Sequence, residues 1–147
     1  MSDPLQIALA SLPHGAEFRF LDRLITLHPG ISGIGEYTLK GDEYFLRGHF
    51  PGAPLMPGVL MIEAVAQLAG VVAQSDPKIG PLENLRLTAL RAVKILGSAR
   101  PGQVLRLEAQ IVGRLGNLVQ ARGKGTVESR AVVELELTLS GDDQPTS

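Results

Sequence analysis

The chain has 147 residues, enough for one domain that buries its own core. Lys and Arg number 14 against 15 Asp and Glu, a formal net charge of −1, so no global basic field exists to recruit nucleic acid or an anionic membrane. Cysteine is absent, which excludes disulfides, thiolate catalysis and thiolate metal sites.

Met1-Ser2-Asp3-Pro4 has neither the basic nor the long apolar stretch of a signal peptide, and the cytoplasm is the expected compartment. Residues 3–11 read as a short helix ended by Leu12-Pro13-His14-Gly15, since proline and glycine both interrupt helical hydrogen bonding. Residues 18–25 read as a strand, His28-Pro29-Gly30 as a turn, and residues 31–39 as a second strand with a bulge at its glycines. A proline- and glycine-rich loop spans 41–57. Pro57 suits the first position of a helix, where its missing N–H costs nothing. The following segment, 58–74, is apolar on nearly every side and has to be covered all round. Its apolar run Val59–Ala73 is interrupted by Glu63 and Gln67 and is shorter than the roughly 20 residues of a membrane span.

Ser75-Asp76-Pro77 and Gly80-Pro81 end the helix in a loop. The remainder reads as strands at 85–96, 104–112, 118–127 and 131–139. Turns are expected at 98–102, 113–116 and 128–130, and 141–147 reads as a disordered polar tail. One buried helix with several antiparallel strands predicts an α+β single domain over 1–147, its sheet wrapped around the helix. Such a sheet leaves a face or an edge unfinished, so a partner subunit is expected.

The chemistry concentrates between residues 48 and 67. His49 stands on a loop stiffened by Pro51, Pro54 and Pro57, and imidazole is suited to general-base work near neutral pH. Glu63 sits one turn into the apolar helix, where desolvation favours a protonated or proton-sharing carboxyl. Gln67, four residues on, shares its face. The N–H groups of Gly58 and Val59 are the first available at the positive end of the helix and suit a developing enolate oxygen. Each residue also has a structural reading: an exposed helical Glu, a loop His bonded to backbone, a plain Pro-Gly helix start. His14 and His28 sit beside prolines and read as structural. No metal-ligand spacing and no phosphate loop occurs, so no cofactor is expected.

The run His-Phe-Pro-Gly-x-Pro-x-Met-Pro-Gly-Val-Leu from His49, reaching Glu63 and the trailing Ala-x-Ala-Gln, closely resembles the (3R)-hydroxyacyl-[acyl-carrier-protein] dehydratases of bacterial fatty acid synthesis. Leu12-Pro13-His14, Asp22-Arg23 and Pro101-Gly102 match that family in register. Glu63 is similar to the dehydratase-only branch, the bifunctional dehydratase/isomerase branch carrying Asp there. The resemblance implies the hotdog fold and a cofactor-free dehydration. His49 takes the α-proton, Glu63 helps the β-hydroxyl leave, and Gly58 holds the thioester carbonyl. Val59, Phe50, Met56 and Gln67 are the remaining substrate-binding candidates. It also implies an acyl carrier protein (or coenzyme A) as the substrate's carrier. His49 and Glu63 would come from different subunits of a homodimer, which assembles further into a hexamer as a trimer of dimers.

The segment after the helix departs from that family. Ile95 stands for its Phe, Leu96 and Gly97 for two basic residues and Gln103 for its Asp. Two other readings follow: a non-catalytic acyl-thioester-binding subunit, motivated by this altered segment, and a hotdog thioesterase, disfavoured by the His-Phe-Pro-Gly loop.

Overall fold

The computed structural model describes residues 18–46 and 54–142. The expected helix at 3–11, with its Leu12–Gly15 break, lies outside the described residues. So do His14, His49, Phe50 and residues 143–147.

Six antiparallel strands form one sheet: β1 (Arg23–His28), β2 (Ser32–Thr38), β3 (Arg86–Ile95), β4 (Val104–Leu115), β5 (Leu118–Val127) and β6 (Arg130–Ser140). Their order across the sheet is β1-β2-β4-β5-β6-β3. After β2 the chain passes through a 3₁₀ turn, Tyr44–Leu46, and later enters the 17-residue helix α1 (Gly58–Gln74). It reappears at the far edge as β3 and crosses back to build the β4-β5-β6 meander. This is the α+β plan of a sheet closed over one helix.

α1 explains the sheet's inner face. Eleven of its residues are buried, from Met61 to Ala73, and it packs against strands from β2 to β6. A helix covered on so many sides needs strands without bulk where it lies closest. Gly33, Gly123 and the small Ala109 supply that. A Cβ on Gly33 would stand 2.8 Å from Val72 Cγ2, and one on Gly123 would run into Val65 and come within 2.6 Å of the Glu108 carbonyl. The C-terminal end of the helix is held by Arg114, whose guanidinium donates to the Ala73 carbonyl at 3.2 Å and to Gly80 at 3.4 Å. A cation there faces the negative end of the helix.

The helix bounds and the strands at 86–95 and 118–127 follow the sequence reading closely. Three elements differ. Residues 18–22 do not join the sheet as a strand, because the Phe18 carbonyl and the Phe20 N–H are bonded to the Gln67 side chain. β4 runs on to Leu115: Gly113 lies beside a register shift within the strand, and the turn is made at Gly116, which has φ +59°. The start of the expected tail is part of the structure. The Gly141 N–H donates to the Asn117 carbonyl, and the Asp142 N–H to that of Glu83.

The close approach of α1 to β5 predicts that Gly123→Ala destabilises the fold by about 1–3 kcal/mol through overpacking. Gly113→Ala, whose new Cβ would meet only Gln120 Oε1 at 3.9 Å, should stay within about 0.5 kcal/mol of the parent. Urea titrations of the two variants check the contrast.

Candidate active site

Pro57 has the extended backbone of a residue just outside a helix, φ −56° and ψ 138°, and no side chain caps the turn that follows. Its carbonyl accepts the N–H groups of Leu60 and Met61 at 2.9 and 3.2 Å. No acceptor among the described residues meets the N–H of Gly58 or Val59. Two donors at the positive end of a helix are therefore available to an oxygen.

These donors border a cavity of about 320 Å³ lined by Leu55 to Val59 and by Ile95, Gly97 and Ser98. Ile95, on β3, lies directly over Gly58: a Cβ on that glycine would be 2.7 Å from Ile95 Cδ1. A side chain at that position would have to displace the end of Ile95. Met56 borders the cavity but is 1 % exposed, and its N–H is bonded to the Ala99 carbonyl at 2.9 Å. Its side chain belongs to the core as much as to the site.

Glu63 is half-buried and is the only charged residue of α1. It lies five residues from Gly58, about 7.5 Å along the helix axis. Gln67 is the one fully buried polar side chain among the described residues, 2 % exposed. Its Nε2 donates to Glu63 Oε1 at 3.4 Å and to the Phe18 carbonyl at 2.8 Å, while its Oε1 accepts the Phe20 N–H at 2.8 Å. Its amide is thus bonded to protein through both atoms and shielded from solvent. The tie to Phe18 and Phe20 went unread in the sequence, which offers no local signal for it. The structure thus brings Gly58, Val59 and Met56 to one cavity and sets Glu63 and Gln67 further along the same helix. His49 and Phe50 lie outside the described residues.

The stretch leading to residues 47–53 is anchored by Glu43. Its carboxylate accepts the backbone N–H of Gly41 at 2.7 Å and of Lys40 at 3.0 Å, and the Tyr37 hydroxyl at 2.7 Å. Burial alone would push the Glu43 carboxyl up, but these donors hold it below the usual carboxylate range. Burial, reinforced by the bond to Glu43, pushes the Tyr37 phenol far up, so it remains a donor. Phe45, in the adjoining 3₁₀ turn, stacks edge-on against Phe20 with ring centroids 5.7 Å apart.

No cluster of His, Asp and Glu suited to a metal occurs among the described residues. A larger hollow, about 730 Å³, lies on the sheet's outer face. Of the charges that line it, Lys124 pairs with Glu108 across strands at 3.3 Å, and Arg122 donates to Gln110 at 3.0 Å. Exposed pairs of this kind contribute little, and the hollow lacks the unpartnered donors found at the helix start.

The family profile of the FabA-like domain matches residues 12–136. The chain is 34% identical over 140 residues to the 3-hydroxyacyl-[acyl-carrier-protein] dehydratase FabZ of Chloroflexus aggregans, covering 95% of this chain and 96% of that one. It is 36% identical to FabZ of Clostridium acetobutylicum, covering 95% and 98%. Among solved structures, the dehydratase heterocomplex ApeI:P from Xenorhabdus doucetiae superposes with a TM-score of 0.77 at 19% identity, over 97% of this chain and 94% of that one. Zebrafish thioesterase superfamily member 2 does so with a TM-score of 0.69 at 14% identity, over 93% and 94%. At such identities these likenesses speak for the hotdog fold alone.

The lowered Glu43 carboxyl has a pH signature. Its contribution to stability is complete above its ordinary value of 4.5 and is lost as pH falls through its lower folded value. Glu43→Gln should therefore melt below the parent near neutrality, and the gap should close as pH falls below 4.5 and through the lower folded value. Melting temperatures across that pH range check this.

Proposed function

The chain belongs to the FabA-like family, and from that premise we propose that it is a hydro-lyase, removing water from a (3R)-hydroxyacyl thioester to leave a trans-2-enoyl thioester in fatty acid or related acyl-chain biosynthesis. The observation that carries this reading is a single helix bearing both halves of the required electrostatics. Two unpartnered N–H groups sit at its start, and one half-buried carboxyl sits about a turn and a half further on.

In the reaction, His49 takes the α-proton of the thioester. The electron pair from that C–H bond moves toward the carbonyl, whose oxygen is held by the N–H of Gly58, assisted by Val59. The pair then forms the α–β double bond as the β C–O bond breaks, and Glu63 delivers a proton so that the hydroxyl leaves as water. An oxyanion donor of this kind contributes about 2.7–4 kcal/mol to the transition state. Phe50 and Met56 shape the substrate site beside these groups. The substrate is carried on acyl carrier protein or on coenzyme A. No cofactor takes part in these steps.

A homodimer completes the site, with His49 and Glu63 drawn from different subunits. Support comes from β3, the terminal strand of the sheet. One of its edges is unpaired, and Leu90, Ile95 and the adjoining Leu96 are 47, 53 and 56 % exposed. A long exposed edge of this kind is a template for another strand, and a second copy laid along β3 buries all three side chains. Three such dimers form the hexamer. No helix among the described residues is long and apolar enough to cross a membrane, and the cytoplasm is the proposed compartment.

Two measurements test the reading. His49→Ala and Glu63→Gln should each lower the hydration rate of a 2-enoyl thioester by about 10²–10⁴-fold, read as loss of the enoyl thioester absorbance. Unchanged rates in either variant would remove that residue from the chemistry, and free thiol release would instead mark a hydrolase. Unfolding and refolding the two inactive variants together should restore up to about a quarter of the parent activity, because half the dimers are mixed and each holds one intact pair. If each subunit held its own pair, mixing would restore nothing.

A further inference from the structure

We propose that Ser98 binds the arm that carries the acyl thioester, through hydrogen bonds to an amide of that arm. This rests on the dehydratase reading, which puts the thioester at the start of α1.

The cavity at the helix start is walled by the apolar side chains of Leu55, Met56, Pro57, Val59 and Ile95, with Gly58 and Gly97 between them. Among the described residues that line it, Ser98 alone has a polar side chain. The Ser98 hydroxyl meets no partner among the described residues, and neither do the N–H and carbonyl of its backbone. Its neighbours are fixed. The Leu96 and Gly97 N–H groups donate to the Val132 carbonyl at 2.8 and 3.3 Å, and the Ala99 carbonyl accepts the Met56 N–H at 2.9 Å. Ala99 is fully buried, and a Cβ on Gly97 would stand 3.0 Å from Val132 Cγ1. Three polar groups on one residue are thus held beside the cavity, with no internal bond to break when a ligand arrives.

The chemistry of those groups selects the ligand. A donor, an acceptor and a hydroxyl able to play either part suit a group that itself both donates and accepts. The thioester carbonyl only accepts, and in the proposed reaction the N–H groups of Gly58 and Val59 take it. An amide does both. Acyl carrier protein and coenzyme A share an arm in which the thiol is followed, two carbons on, by an amide. Neither carrier fits within about 320 Å³, so the arm has to cross the rim of the cavity. Ser98 stands at that rim, half-buried between exposed Gly97 and buried Ala99, with Arg100 exposed beyond.

Two enoyl thioesters that differ only in the arm test this. In one, the enoyl group is joined to N-acetylcysteamine, which keeps the sulfur, the two carbons and the first amide. In the other, it is joined to a pentyl chain of the same length that has no amide. Ser98→Ala should raise KM for hydration of the amide substrate about three- to tenfold, the net effect of one hydrogen bond, with kcat within about twofold. KM for the pentyl substrate should change by less than about twofold. Equal changes on the two substrates overturn the proposal, whether both are large or both absent. Should Ser98→Ala fail to fold, Ser98→Gly, which also lacks the hydroxyl, replaces it with the same outcomes. A parent that hydrates neither thioester overturns the dehydratase reading instead.

Discussion

A helix with almost no polar surface has to be covered on nearly all sides, and the sheet is built to do that. α1 has one charged residue in 17, and the strands that lie against it are thinned to glycine and alanine at the closest approaches. The bulges in β1, β3, β4 and β6 let the ladder bend while pairing continues on either side of each register shift. Burying apolar side chains contributes about 1.5–3 kcal/mol for each large residue. The run from Met61 to Ala73 is therefore a main source of the stability that holds the rest in place.

The same enclosure makes each polar group on α1 consequential. In an apolar interior, a hydrogen-bonding group without a partner is costly. Gln67 and Gln74, seven residues and two turns apart on one face of the helix, answer that by each gripping a backbone N–H and a backbone carbonyl of a segment outside the sheet. They substitute for a neighbouring strand, and so they hold residues 18–20 and the loop before β3 against the helix. At Gln67 this structural duty coincides with the one carboxyl of α1. The amide that ties residues 18–20 to the helix is thus also the one that meets this carboxyl.

The start of α1 is built by the opposite means, through groups left without partners. Pro57 brings no N–H, the cap is bare, and Ile95 covers Gly58 from β3 with an apolar surface instead of an acceptor. A donor pair left without an acceptor at the positive end of a helix is available to an oxygen that carries negative charge. That position depends on β3, the last strand of the sheet. Ile95 reaches over Gly58 from that strand, while Leu96 beside it is exposed. The segment that shapes the cavity is therefore also the margin of the sheet.

Local pattern was enough to bound α1 at 58–74, because an unbroken apolar run between Pro57 and Ser75-Asp76-Pro77 has only one regular solution. Alternation located β5 and β6, and the Glu128-Ser129 turn between them, although both residues hold positive φ there without a glycine. Glu63, Gly58 and the facing of Gln67 toward Glu63 were legible for the same reason: helical geometry fixes relations between residues four or five apart. What local pattern could not decide was which of two glycines turns a hairpin. Gly113 and Gly116 are equally permissive, and only strand pairing assigns the bulge to one and the turn to the other. Nor could it show that Phe18 and Phe20, which alternate like a strand, give their backbone bonds to a side chain 47 to 49 positions away. The sequence by itself determined the buried helix, its acid and its unpartnered first turn, since these are properties of a few consecutive residues. The tertiary structure decided which distant backbone groups the Gln67 amide meets, because a hydrogen-bonding group's partners depend on which segments the fold brings within about 3 Å of it.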